Sequence, residues 1–182
     1  MDFKKWVVIA LALFVVGLVI GIFPPSILTS LIADEMGRLE GLAGSVVPFT
    51  FSMFLIVFIR NAIALLAGFV FSPVLCLTPI LSLVVNGLMI SFVGRAVAHE
   101  NSFAFALAGI LPHGIFEIAA LVIGGAASLS FGIATMQAVF KESKRKQLLP
   151  NLKENAKYLL IALGLLLPAA AIETFVTPLL LR

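Results

Sequence analysis

The chain has 182 residues, of which 62% are apolar and only 12% charged, with a mean hydropathy of +1.19. A soluble domain is about half apolar and a quarter charged, and a chain this small has too little interior to hide the excess. Soluble enzymes, disordered tails and nucleic-acid binders with a basic face are thereby excluded. The runs are too long and continuous for the alternating strands of a membrane barrel. The expected class is all-α, a polytopic membrane helix bundle.

A helix that crosses a bilayer needs roughly 20 apolar residues. The first candidate is 6–23. Its charged start resembles a secretory signal, but its apolar run is longer than such a signal carries. Pro24-Pro25 follows in place of a small-x-small cleavage site, so 6–23 is read as a retained span. An acidic loop, 24–45, follows with Asp34, Glu35, Arg38 and Glu40. The second candidate runs over 46–71, and Ser72-Pro73 marks a tight turn into a third, 74–97. His99 and Glu100 fall just beyond it, as solvated surface.

The fourth segment, 103–140, is the irregular one. As a straight helix it would measure about 57 Å, nearly twice the roughly 30 Å hydrocarbon thickness. Pro112 and Gly114 suggest a short helix over 103–111, a break or re-entrant turn near 112, and a long helix after it. Irregular backbone at membrane depth needs cover from protein or water, so a break implies a cavity. A basic loop, 141–157, contains Lys141, Lys144, Arg145, Lys146, Lys153 and Lys157. The fifth candidate is 158–181.

Lys4, Lys5 and the basic loop place the N-terminus in the cytoplasm by the positive-inside rule, with the acidic loop outside and five crossings. The localisation expected is the cell membrane, multi-pass. The basic loop suits anionic lipid or a soluble partner. Cys76 is the sole cysteine, which excludes an intrachain disulfide and a cysteine metal cluster, and it reads as a small core residue.

Within the spans stand Arg60, Asn61, Asn86, His113, Glu117 and Glu173. A charge at the bilayer centre costs roughly 2.5–3.5 kcal/mol and normally faces the bundle interior with a partner. By helical rise, Arg60 and Asn86 both lie about 20 Å from the Ser72-Pro73 turn. All six fit one layer near the midplane if the last turns of the fourth segment project from the membrane. His113 and Glu117 are four apart and share a helical face. Three readings stay open. One is a divalent metal such as zinc on His113, Glu117 and Glu173, serving an intramembrane hydrolase with Arg60 stabilising negative charge. Another is a proton relay or transporter site. The third is a structural network that orients the helices and holds an ion or small ligand without chemistry. Gly87 and Gly124, with Gly114 and Pro112, are the structural candidates, and small-residue faces of this kind suit close helix packing or a homodimer. The sequence contains no HExxH, GxSxG or P-loop motif.

Asn61 with Ala62 and Ala64, then Asn86-Gly87, then Pro112-His113-Gly114-x-x-Glu117 with the following Gly-Gly, and finally Glu173, resemble the stage II sporulation protein M family. The resemblance covers most of the chain. It implies a prokaryotic integral membrane protein of five or six spans. It also implies a part for Asn61, Asn86, Gly87, His113, Gly114, Glu117 and Glu173. Arg60 has no clear counterpart in that pattern. The family's namesake resembles a membrane anchor that assembles partners during forespore engulfment, so the resemblance favours a scaffold over an enzyme. It leaves the cofactor and the ligand unassigned.

Overall fold

The computed structural model describes residues 2–25, 49–74 and 76–181. Its elements are helical: α1 (Phe3–Ile22), α2 (Phe51–Val70), α3 (Leu77–Glu100), α4 (Phe103–Phe140), a short α5 (Glu142–Arg145), α6 (Leu148–Phe175) and a short α7 (Thr177–Leu180). Five helices are long and apolar enough to cross a membrane, the last counted over Leu148–Leu180. Val8, Val19, Ile63 and Leu160 are each more than half exposed. Such an apolar exterior is tolerable where lipid, rather than water, surrounds it.

The helix starts follow from local chemistry. The side chains of Asp2, Thr50 and Ser102 accept from the backbone N–H of Lys4, Met53 and Phe105, capping α1, α2 and α4. Because Thr50 caps α2, that helix begins at Phe51 and not at 46; residues 46–48, like 26–45 of the acidic loop, lie outside the described residues. The turn after α2 is longer than Ser72-Pro73 alone. It ends at Cys76, whose backbone is left-handed (φ 54°), so α3 starts at Leu77. The Cys76 thiol is free and buried. His99 and Glu100 form the exposed last turn of α3, not a loop.

Two expectations are corrected. The fourth segment is not broken near 112: α4 is one helix of 38 residues that passes through Pro112. Continuing through a proline forfeits one backbone hydrogen bond and strains one turn, whereas a break in hydrocarbon would free several polar groups at once. The stretch 141–157 is not a loop either. Lys153 and Lys157 sit on the first turns of α6, which begins ten residues before 158. Asn155, 2% exposed, and Leu159 turn that early part of α6 inward, and Leu152 packs on the same core.

The packing is organised about α4, and two helix pairs use different faces of it. On one face α2 and α6 build a core from Ala62, Leu65, Phe69, Ala120, Ala127, Leu159, Ala162 and Leu166. On the other, α1 and α3 build a second from Ala10, Phe14, Leu83, Val122, Ala126 and Leu129. Gly124 and Gly125, one residue apart, serve the two faces. A Cβ on Gly124 would strike Leu65, and one on Gly125 would crowd Leu83. The α1–α3 pair is closer still. A Cβ on Gly17 would fall on the Val84 carbonyl, and one on Gly87 on the Phe14 carbonyl. Without a hydrophobic difference between lipid and helix, such backbone approach is what makes helices associate. Gly17, Gly87, Gly124 and Gly125 are therefore occupied by packing within the chain. Arg95 Nη1 donates to the Ile22 carbonyl over 2.6 Å, satisfying an orphan carbonyl at the end of α1. Phe3 stacks on Tyr158 at 3.5 Å between ring centroids and joins the two pairs at the basic end. By contrast, α2 and α3 touch each other only sparsely.

Gly87→Val is expected to destabilise the protein by roughly 1–3 kcal/mol, because its branched side chain has to push two backbones apart. Gly164→Val, where a Cβ meets nothing within 4 Å, is the control. Thermal midpoints in detergent check the pair. Equal midpoints would contradict the α1–α3 packing.

Candidate functional site

The gap between α2 and α3 is where the polar residues of the spans meet. Arg60 and Asn61 come from α2, Asn86 from α3, His113 and Glu117 from α4, and Glu173 from α6; all six line one cavity of about 370 Å³. Four helices contribute: α2 and α6 of one pair, α3 of the other, and the shared α4. Arg60 stands about 14 Å along α2 from Phe51, and Glu117 about 21 Å along α4 from Phe103, well inside the apolar lengths of both helices. Ile56, Val57, Val93 and Ile110 complete the wall above the polar layer.

The hydrogen bonds fix some groups and leave others open. His113 Nδ1 lies 3.3 Å from the hydroxyl of Thr177, which is 7% exposed. The ring is thus anchored to the first turn of α7. Sequence reasoning missed Thr177, although it lies four residues after Glu173 at a helical spacing that reaches the same face. Asn86 Nδ2 donates to the Ser82 carbonyl at 2.7 Å, which holds the amide against its own helix and leaves its oxygen for the cavity.

The charges are coupled without touching. Glu117 is within electrostatic reach of Glu173, His113 and Arg60, and Glu173 within reach of Arg60. Among the described residues, the contact ion pair within 4.0 Å is Arg145–Glu142, at the surface. Arg60 therefore faces two carboxylates across open space, and it is the most exposed member of the set. In a low-dielectric surround such a pairing retains much of its strength over several ångströms. The arrangement is a chamber with one guanidinium, two carboxylates, an imidazole and two amides. A polar chamber of this size has room for several waters or a small polar group.

The metal reading finds no support in the geometry. Among the described residues no three His, Cys, Asp or Glu side chains are grouped to hold a metal ion. His113, Glu117 and Glu173 share a wall space but do not converge as ligands, and the His113 Nδ1 is engaged by Thr177.

The structural glycines divide. Gly87 and Gly124 permit close packing, as above. Gly114 does not: a Cβ there meets nothing nearer than Ile110 of its own helix at 3.5 Å, although the residue is buried and lines the chamber. Its missing side chain preserves space, not contact. Gly114→Ala is therefore expected to raise the stability of the ligand-free protein by about 0.5–1 kcal/mol through helix propensity. A lowered midpoint on thermal unfolding would show that the position is packed after all.

The stage II sporulation protein M family matches residues 9–178, nearly the whole chain. A protein of Methanocaldococcus jannaschii, described as uncharacterized, is 28% identical over 103 residues. The matched region is 56% of this chain and 58% of that relative, so the chain spans somewhat over half the length of the protein it resembles. No solved structure matches. On the extent of the family match, the chain belongs to the stage II sporulation protein M family.

Proposed function

We propose that this protein is a multi-pass scaffold of the cell membrane that carries out no reaction of its own, and that its interhelical chamber binds a small polar ligand which fixes the two helix pairs relative to each other. One observation carries the proposal: the chamber is walled by helices of both pairs and opens between α2 and α3, which touch each other far less than the helices within either pair do. A polar layer shared by four spans is an orienting device, because any other arrangement strands a charge in hydrocarbon. The family supports the membrane setting.

The basic end is the second half of the reading. Lys4, Lys5, Lys141, Lys144, Arg145, Lys146, Lys153 and Lys157 gather where α1 and α6 begin and α4 ends. We take this end as cytoplasmic. It offers anionic lipid head groups, or an acidic soluble partner, a surface worth about 1 kcal/mol per basic residue.

His113→Ala, Glu117→Ala and Glu173→Ala are each expected to lower stability by about 1–3 kcal/mol: the first strands the buried Thr177 hydroxyl, and each of the others removes one of the two carboxylates that face Arg60. Leu160→Ala, on the lipid-facing surface, should change little. Unfolding midpoints of the purified full chain decide the matter. Wild-type midpoints in all three chamber variants would reject an orienting role.

A further inference from the structure

The basic end presents more than charge. The chain's sole tryptophan, Trp6, and its sole tyrosine, Tyr158, both stand there, linked through Phe3, which is one turn from Trp6 and stacks on Tyr158. Such rings settle at the membrane–water interface, so this level marks the inner edge of the hydrocarbon. α6 begins ten residues earlier, at Leu148, about 15 Å beyond Tyr158. α4 runs out as far. Phe131 stacks on Phe69 beside the same core as Tyr158, and Phe140 lies nine residues later, about 14 Å along the helix. A head-group layer is only about 5–8 Å deep on each side. The end of α4, the start of α6 and α5 between them therefore project past the head groups as a hairpin.

The hairpin is firmly built, yet its tip is apolar. Arg145 Nε donates to the Ala138 carbonyl at 3.3 Å, satisfying an orphan acceptor at the end of α4. Ala138 and Asn155 are buried. Val139, Phe140 and Leu149, by contrast, are 66%, 81% and 59% exposed. Beside them lies a cavity of about 430 Å³ whose lining includes Gln137, Lys144, Gln147, Asn151 and Glu154. Gln137 comes three residues before Phe140 and shares its face of α4. In hydrocarbon three bare apolar side chains need no account, but in water they mark a site of interaction.

The surroundings select the occupant. Residues 141–157 hold six basic side chains against two acidic ones, Glu142 and Glu154, and Glu142 is already paired with Arg145 at 3.2 Å. An anionic bilayer would answer the lysines, but the apolar tip stands too far out to enter it. A protein segment with carboxylates around an apolar anchor answers both. Gln and Asn side chains donate as well as accept, so the cavity suits the main chain of such a segment. We propose that the α4–α6 hairpin docks a soluble cytoplasmic protein through a short acidic segment, whose aliphatic or aromatic residue covers Phe140 and Leu149 and whose carboxylates meet Lys141, Lys144 and Lys146. This deepens the reading of the basic end as a cytoplasmic docking surface and rests on it.

Selection of a phage-displayed library of random peptides, about 12 residues long, on the full-length protein in phosphatidylcholine nanodiscs tests the proposal. Enriched peptides are expected to carry several Asp or Glu around at least one Leu, Ile, Phe or Trp, and to bind about tenfold more weakly at about 0.5 M salt than at about 0.1 M. Phe140→Ser, and Lys141→Gln combined with Lys144→Gln, should each weaken the best peptide about tenfold with the unfolding midpoint unchanged. Leu149→Ser takes the place of Phe140→Ser should that variant not fold. Enrichment of neutral or basic peptides, no enrichment at all, or undiminished binding to folded variants would overturn the proposal. So would loss of peptide binding in discs of about 30% phosphatidylglycerol, which would assign this end to the lipid. Lys146→Cys, labelled with a membrane-impermeant maleimide, reports the side of the membrane, because the native Cys76 thiol is buried. Cytoplasmic labelling without acidic peptides sinks the docking inference alone, whereas labelling from outside sinks the reading of the basic end together with it.

Discussion

The close approach of backbones at glycine governs this molecule. In water, apolar helices are driven together by the surface they hide. In hydrocarbon that drive is gone, and contact, backbone proximity and polar pairing have to suffice. Gly17 and Gly87 bring α1 onto α3, while Gly124 and Gly125 let α4 accept Leu65 from one side and Leu83 from the other. Once α4 is committed on both faces, the two helix pairs stand on either side of it. Phe3 on Tyr158 then joins them at the basic end, but α2 and α3 touch each other only sparsely. The chamber is a consequence of that geometry.

A gap between helices at this depth would normally be filled by side chains. Here it is lined by six polar ones from four helices. The charges do not meet in contact pairs. They sit across a space with complementary signs, unlike the members of a closed ion-pair network. His113, tethered through Thr177 to the short α7, ties the end of α6 to the same chamber.

The span count and the membrane class were legible from hydropathy alone, because the cost of an unsatisfied backbone in lipid leaves few alternatives. The six polar positions were legible for a related reason: an ionisable residue in an apolar run is expensive enough to stand out. Other features were not. Pro112 reads as a break in sequence, but the surrounding hydrocarbon makes continuity the cheaper outcome for α4. The basic stretch reads as a loop by charge, yet Asn155 and Leu159 carry it into helix and onto the core. The separation of α2 from α3 has no local signature, since it is set by where glycines on other helices fall. Gly114 and Gly87 look alike in the sequence and differ entirely in their surroundings.

A double-mutant cycle on Arg60 and Glu117 probes the convergence of these groups most directly. The two residues are 57 positions apart and on different helices, so no local effect links them. If they face one another across the chamber, Arg60→Gln and Glu117→Gln together should cost less than the sum of their separate effects, with a coupling of about 0.5 kcal/mol or more in unfolding free energy. Additivity within about 0.3 kcal/mol would mean that the two side chains do not share a chamber.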